Sequence, residues 1–130
     1  MTAALKPEIV GHFDVIRKLG RAFGDVATPA IRAAAGEALE VVRQHDGILD
    51  LNTAGLRKGL DTPYPDVWVL GLARDMNIPF ALGDDSHAPE QVGAGFHEGR
   101  DYLLSHGIET VTILQRDQNG VSRSRVPLTE

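Results

Sequence analysis

The chain has 130 residues, 42% of them hydrophobic and 24% charged, which is enough to bury the core of one domain and too apolar for wholesale disorder. A net charge of −5, with no stripe of Lys and Arg, argues against nucleic acid as the main partner. The absence of cysteine excludes a disulfide framework, a Cys-ligated zinc and a thiol nucleophile.

A first strand is expected over about 8–12, ending at Gly11-His12-Phe13-Asp14, with a short helix over 13–19. Thr28-Pro29 then opens a longer helix, Thr as N-cap and Pro at the first helical position. Its residues Ile31, Ala34, Ala35, Ala38, Leu39 and Val42 fall on one amphipathic stripe, and His45-Asp46-Gly47 ends it with a glycine suited to a left-handed cap. The second strand, Ile48–Asn52, feeds the loop Thr53–Gly59. Pro63-Tyr64-Pro65 introduces a largely buried helix at about 66–76. A third strand, Pro79–Gly83, runs into Asp84-Asp85-Ser86-His87, and a helix is expected over about 89–105. Thr110–Leu114 reads as a fourth strand. Asn119-Gly120 before Val121–Val126 signals a type I′ hairpin, expected as a peripheral addition. Strand-helix alternation predicts an α/β chain with a parallel sheet or barrel and function at the C-terminal strand ends. No signal peptide opens the chain and no run of eighteen apolar residues occurs, so the expectation is a cytoplasmic protein without a membrane span.

Two of these strand ends carry both a histidine and an aspartate. Asp85 and His87 stand two apart past the third strand, where alternate residues can point the same way and chelate one ion or hold two. The plainer reading makes Asp85 a helix cap and His87 a surface residue. His12 and Asp14 stand two apart past the first strand. Asp14 can cap the following helix and still orient His12 from behind. Arg57 and Lys58 follow the second strand on the same side, and a guanidinium beside a metal recognises phosphate or carboxylate. Asn52, at a strand tip, either donates to a ligand or fixes its loop. His45 and His106 end helices and read as structural, and His97 reads as a surface residue.

The stretch Pro7-Glu8-Ile9-Val10-Gly11-His12-Phe13-Asp14-Val15-Ile16-Arg17-Lys18 resembles the third metal-binding motif of the polymerase and histidinol phosphatase (PHP) superfamily. Leu51-Asn52-Thr53-Ala54-Gly55-Leu56-Arg57-Lys58-Gly59, with Pro63-Tyr64-Pro65, looks like a segment of its histidinol-phosphatase branch. Gly83-Asp84-Asp85-Ser86-His87-Ala88-Pro89-Glu90-Gln91-Val92-Gly93 is similar to the fourth motif, where Ser or Ala usually stands in place of Asp84. The resemblance implies a distorted seven-stranded β/α barrel. It also implies hydrolysis of L-histidinol phosphate to L-histidinol and phosphate, a late step of histidine biosynthesis. His12, Asp85 and His87 would ligate divalent metal (Zn, Mn or Fe), and Asp85 or His87 would assist proton transfer. Arg57 and Arg17 would hold the substrate's phosphate, and Asp14 and Asn52 would support the residues that touch metal and substrate, Asp14 from behind His12.

The family's first motif, a His-x-His, and its second have no counterpart in these residues. The expectation is therefore a partial barrel, the C-terminal half of the PHP fold, with barrel segments over 1–107 and a terminal strand and hairpin over 108–130. Such a chain is expected to hydrolyse its small phosphorylated metabolite weakly when alone. It is also expected to associate, with an N-terminal barrel half or with itself. The alternatives are an inactive remnant or interaction module with a partial metal site, and a PHP phosphoesterase of other substrate.

Overall fold

Parallel strand pairing organises the chain. The computed structural model describes residues 1–19 and 27–129, so the segment between the expected short helix and Ala27 lies outside the described residues. After a single-turn helix α1 (Thr2–Leu5), strands β1 (Ile9–Val10), β2 (Ile48–Asn52) and β3 (Phe80–Gly83) form one parallel sheet in that order. Ile9 stands opposite Ile48, and Asn52 opposite Gly83. Helix α2 (Pro29–Gln44) lies between β1 and β2, and α3 (Ala54–Arg57) and α4 (Val67–Asp75) lie between β2 and β3. Helix α5 (Phe96–Ser105) leads to strands β4 (Thr110–Asp117) and β5 (Gly120–Pro127), which pair only with each other, antiparallel.

The period of two along β2 divides its side chains between core and site. Leu49 and Leu51 are fully buried with Leu39 and Val42 of α2, Val69 and Leu70 of α4, and Leu103 of α5. Each such side chain contributes about 1.5–3 kcal/mol of burial. Asp50 and Asn52, on the opposite face, are left for other work. Helix starts follow their caps. Thr28 Oγ1 accepts from the Ile31 amide at 3.4 Å with Pro29 in the first turn, and Asp66 accepts from the Val67 amide at 2.8 Å.

Several expectations are corrected. The β1 pairing is only two residues long, because His12 turns into the left-handed region at φ 57°. The helix expected over 13–19 is a 3₁₀ turn at Val15–Leu19, and Asp14 does not cap it with its side chain. Instead the Asp14 carboxylate accepts from the Asp66 amide at 2.7 Å and so secures the start of α4. The helix expected over 89–105 is broken into a 3₁₀ turn (Pro89–Gln91) and α5, since Gly93 and Gly95 adopt φ 76° and 78°, which no right-handed helix accommodates. The left-handed residue after α2 is Asp46, one before the expected glycine. Only the second half of the α2 stripe is buried. Ala34 and Ala38 are exposed along an apolar groove of about 440 Å³.

The hairpin turn is Gln118-Asn119 rather than Asn119-Gly120. Gly120 already pairs with Asp117, and neither Gln118 nor Asn119 has the positive φ of a type I′ turn. Nor is the hairpin peripheral at its base. Val111 and Leu128 join the core, Arg100 Nε donates to the Leu128 carbonyl at 2.6 Å, and Arg123 pairs with both Glu8 and Asp46. The described residues thus form an open three-stranded parallel sheet, its helices and a hairpin. No helix among them is long and apolar enough to cross a membrane.

Candidate functional site

Because β1, β2 and β3 are parallel, residues just past their ends collect at one edge of the sheet. His12 comes from β1, Arg57 and Lys58 from the end of α3 after β2, and Asp85 from the loop after β3. His12 Nε2 faces Asp85 Oδ1 at 3.6 Å. That is too long for a hydrogen bond. It does suit two ligands of one divalent ion, whose bonds to nitrogen and oxygen are each about 2.0–2.2 Å. Both residues adopt left-handed backbone, His12 at φ 57° and Asp85 at φ 51°. Non-glycine residues avoid that region unless their surroundings hold them there, and such strain gathers at functional sites.

The surroundings of Asp85 are explicit. Arg57 Nη2 donates to its carbonyl at 3.1 Å, and His87 Nδ1 lies 2.7 Å from the same oxygen. A carbonyl only accepts, so Nδ1 carries the proton and Nε2 keeps the lone pair with which imidazole binds metal. Lys58 Nζ donates to Asp85 Oδ2 at 3.0 Å, and this bond is the first cause holding the Asp85 carboxyl below its ordinary pKa. Asp84 ties the loop together. Its carboxylate accepts from the Ser86 amide at 3.1 Å and the Gly93 amide at 2.5 Å. The hydrogen bonding, led by Ser86, lowers its pKa.

Asp50, in the middle of β2, was not singled out from the sequence. Burial is the first cause pushing its carboxyl pKa up, opposed by a hydrogen bond from Asn52 Nδ2 at 3.0 Å and by His12. A Cβ on Gly83 would stand 2.4 Å from Asp50 Oδ1, so the absence of a side chain at 83 makes room for the carboxylate. Its signal was the one charge inside the buried run Ile48–Asn52. Asn52 itself is 3% exposed, and its Oδ1 accepts from the Ala54 amide at 3.0 Å, so it links Asp50 to the start of α3.

Not every expected residue converges here. Arg17 donates to the Pro63 carbonyl at 2.9 Å and to Thr62 Oγ1 at 2.7 Å, and its guanidinium lies 3.6 Å from both Asp14 and Asp66. Asp14, 6% exposed and raised in pKa by burial, belongs to that group rather than to His12. His106 is tied to the Tyr102 carbonyl at 2.7 Å, and His97 is exposed. The donors at the sheet edge fit a divalent ion in kind, imidazole and carboxylate, and His12 and Asp85 fit it in spacing. Among the described residues, no three His, Cys, Asp or Glu side chains gather closely enough to complete a shell.

No family model matches the chain. A protein of Deinococcus radiodurans assigned as a histidinol phosphatase is 35% identical to it over 84% of this chain and 40% of the relative. The histidinol-phosphatase of Bacillus subtilis is 32% identical over 70% of this chain and 34% of the relative. A crystal structure of a Listeria monocytogenes protein assigned as a histidinol phosphatase superposes with a TM-score of 0.64 at 33% identity, covering 72% of this chain and 36% of that one. The chain thus spans about two-fifths of the length of the curated relatives it matches. In sequence and in fold together, the chain is of the histidinol-phosphatase, PHP type over the stretch they share.

Proposed function

We propose that this chain carries part of the active site of a metal-dependent phosphomonoester hydrolase acting on L-histidinol phosphate. The observation that carries the reading is the facing pair His12 Nε2 and Asp85 Oδ1, 3.6 Å apart at the sheet edge where Arg57 and Lys58 also converge. In this reading His12, Asp85 and His87 hold a divalent ion of the Zn, Mn or Fe class, which His and Asp donors accept with modest discrimination. A bound ion supplies Lewis acidity and a water more acidic than bulk. The chain's residues do the rest. Arg57 and Lys58 place positive charge beside the phosphoryl oxygens and stabilise the charge that develops on them. Arg17 reaches the phosphate only by leaving Thr62 and Pro63. Asn52 fixes Asp50, and Asp84 fixes the loop from which Asp85 and His87 project. The proton for the leaving alkoxide then comes from solvent, because His87 Nδ1–H is engaged by the Asp85 carbonyl and its Nε2 by the ion. The acidic surface and small-metabolite relatives favour this substrate over a nucleic acid.

The parallel sheet would then be one arc of a barrel, with residues 1–107 as barrel segments and 108–130 as an attached strand and hairpin. With His12 and Asp85 facing and no group of three such donors gathered among the described residues, the activity of these 130 residues alone is low, and a complementary barrel portion is the natural partner. The test is phosphate release from L-histidinol phosphate with Mn²⁺ or Zn²⁺. The expected result is slow turnover that EDTA abolishes. The rate should rise strongly when the part of a relative outside the matched stretch is supplied. Turnover in no combination, or turnover indifferent to EDTA, overturns the function. Fast turnover by the chain alone overturns the partial-site account.

A further inference from the structure

We infer that Lys58 is an internal counter-cation for Asp85 that a divalent ion must displace, so that this lysine sets the affinity of the site for metal. The inference rests on the metal-site reading above. Lys58 Nζ sits on Asp85 Oδ2 at 3.0 Å while the other carboxylate oxygen, Oδ1, is turned toward His12. The carboxylate is therefore shared between an ammonium on one oxygen and the candidate metal position on the other. A dication and an ammonium on one carboxylate repel each other, and the pair is only partly screened, with side-chain exposures of 19% for Asp85 and 30% for Lys58.

Neither end of this contact depends on the other for its place. Lys58 is anchored by its backbone, its amide donating to the Ala54 carbonyl at 3.0 Å at the close of α3. Asp85 is anchored by Arg57 and His87 on its carbonyl. Removing the ammonium thus leaves the carboxylate in position and free. The displaced side chain also has somewhere to go. It borders a pocket of about 330 Å³ shared with Arg17, Lys18 and Asp61.

The test is calorimetric titration of the full chain with MnCl₂, comparing wild type, Lys58→Met, Lys58→Arg and Lys18→Met. Lys18 lines the same pocket but does not touch Asp85 in the contacts above, so it controls for a general change of field. Lys58→Met should bind Mn²⁺ roughly three- to tenfold more tightly, the range expected for loss of a partly exposed competing ion pair. Lys58→Arg and Lys18→Met should stay within about twofold of wild type. Unchanged or weaker binding by Lys58→Met, or equal tightening by Lys18→Met, overturns the inference while the metal site stands. Binding by none of the four proteins overturns both. A second readout needs no variant: the ¹⁵Nζ resonance of Lys58 in the wild-type chain. Zinc should shift it and speed its hydrogen exchange as the ion pair opens, and indifference to saturating zinc overturns the displacement.

Discussion

At the scale of the residue, His12 and Asp85 share a backbone conformation that side chains other than glycine seldom adopt. Each holds a left-handed φ, and each lies just past a strand end. Asp50 is the electrostatic counterpart: a carboxylate whose pKa is raised first by burial, in a strand that an apolar residue would suit better for stability. A raised folded-state pKa means that the folded chain holds its proton more tightly than the unfolded one. The stability from that proton is present below the unfolded value and lost as pH rises through the folded one. Asp50→Asn keeps an oxygen for Asn52 and removes the charge. Its melting temperature should exceed wild type by a few degrees at pH 7, with the gap shrinking as the pH falls to 4. Thermal unfolding followed by circular dichroism across that range checks this, and a gap that widens on acidification would contradict it. The gathering of His12, Asp85 and Arg57 at one end of the sheet could be anticipated in the sequence, because each follows a strand. Asp50 could not, because its importance lies in which face of β2 it occupies and in the empty space at Gly83, 33 residues away in sequence. The roles of Asp14 and Arg17 were likewise hidden, since their partners Asp66 and Thr62 are distant along the chain.

Elements were legible where local chemistry was decisive. The Thr28-Pro29 start of α2 and the whole of β2 follow from cap chemistry and apolar runs. The helix expected over 89–105 has its anticipated end at Ser105, but the positive φ of Gly93 and Gly95 interrupts it after the turn that Pro89 opens. The hairpin turn was misplaced by one residue because register there is fixed by the eight-residue β4–β5 pairing rather than by the Asn-Gly signal. Between β2 and β3 the fit is tight enough to test. Gly83→Ala places a methyl against Asp50 Oδ1, and overpacking of this kind costs about 1–3 kcal/mol. Adding Asp50→Ala removes the obstacle and should recover most of the loss. Urea unfolding of the two single variants and the double variant measures that coupling. Additive losses would show that the two strands relax independently.

At the scale of the molecule, β1 and β3 each have an edge with no paired strand among the described residues. Leu5, Ile16 and Leu19, in the segments flanking β1 in sequence, are 71%, 50% and 53% exposed. Unpaired strand edges beside apolar side chains promote association. Light scattering should therefore show mass rising with concentration, and Ile16→Lys should suppress the rise. A concentration-independent monomer would contradict this. The parallel sheet could be anticipated from the strand-helix alternation, and the hairpin from its Asn-Gly signal between two strand-like runs. How the sheet edge is covered could not, since that depends on surfaces beyond the pairing within these strands. The central claim is that His12 and Asp85 are two ligands of one divalent ion. Its most direct test is calorimetric titration of the full chain with Zn²⁺, beside His12→Ala and Asp85→Asn. The account predicts that wild type binds zinc and that each substitution weakens binding at least about tenfold, as loss of one ligand does. Zinc affinity equal in all three proteins, or absent from the wild type, would contradict it.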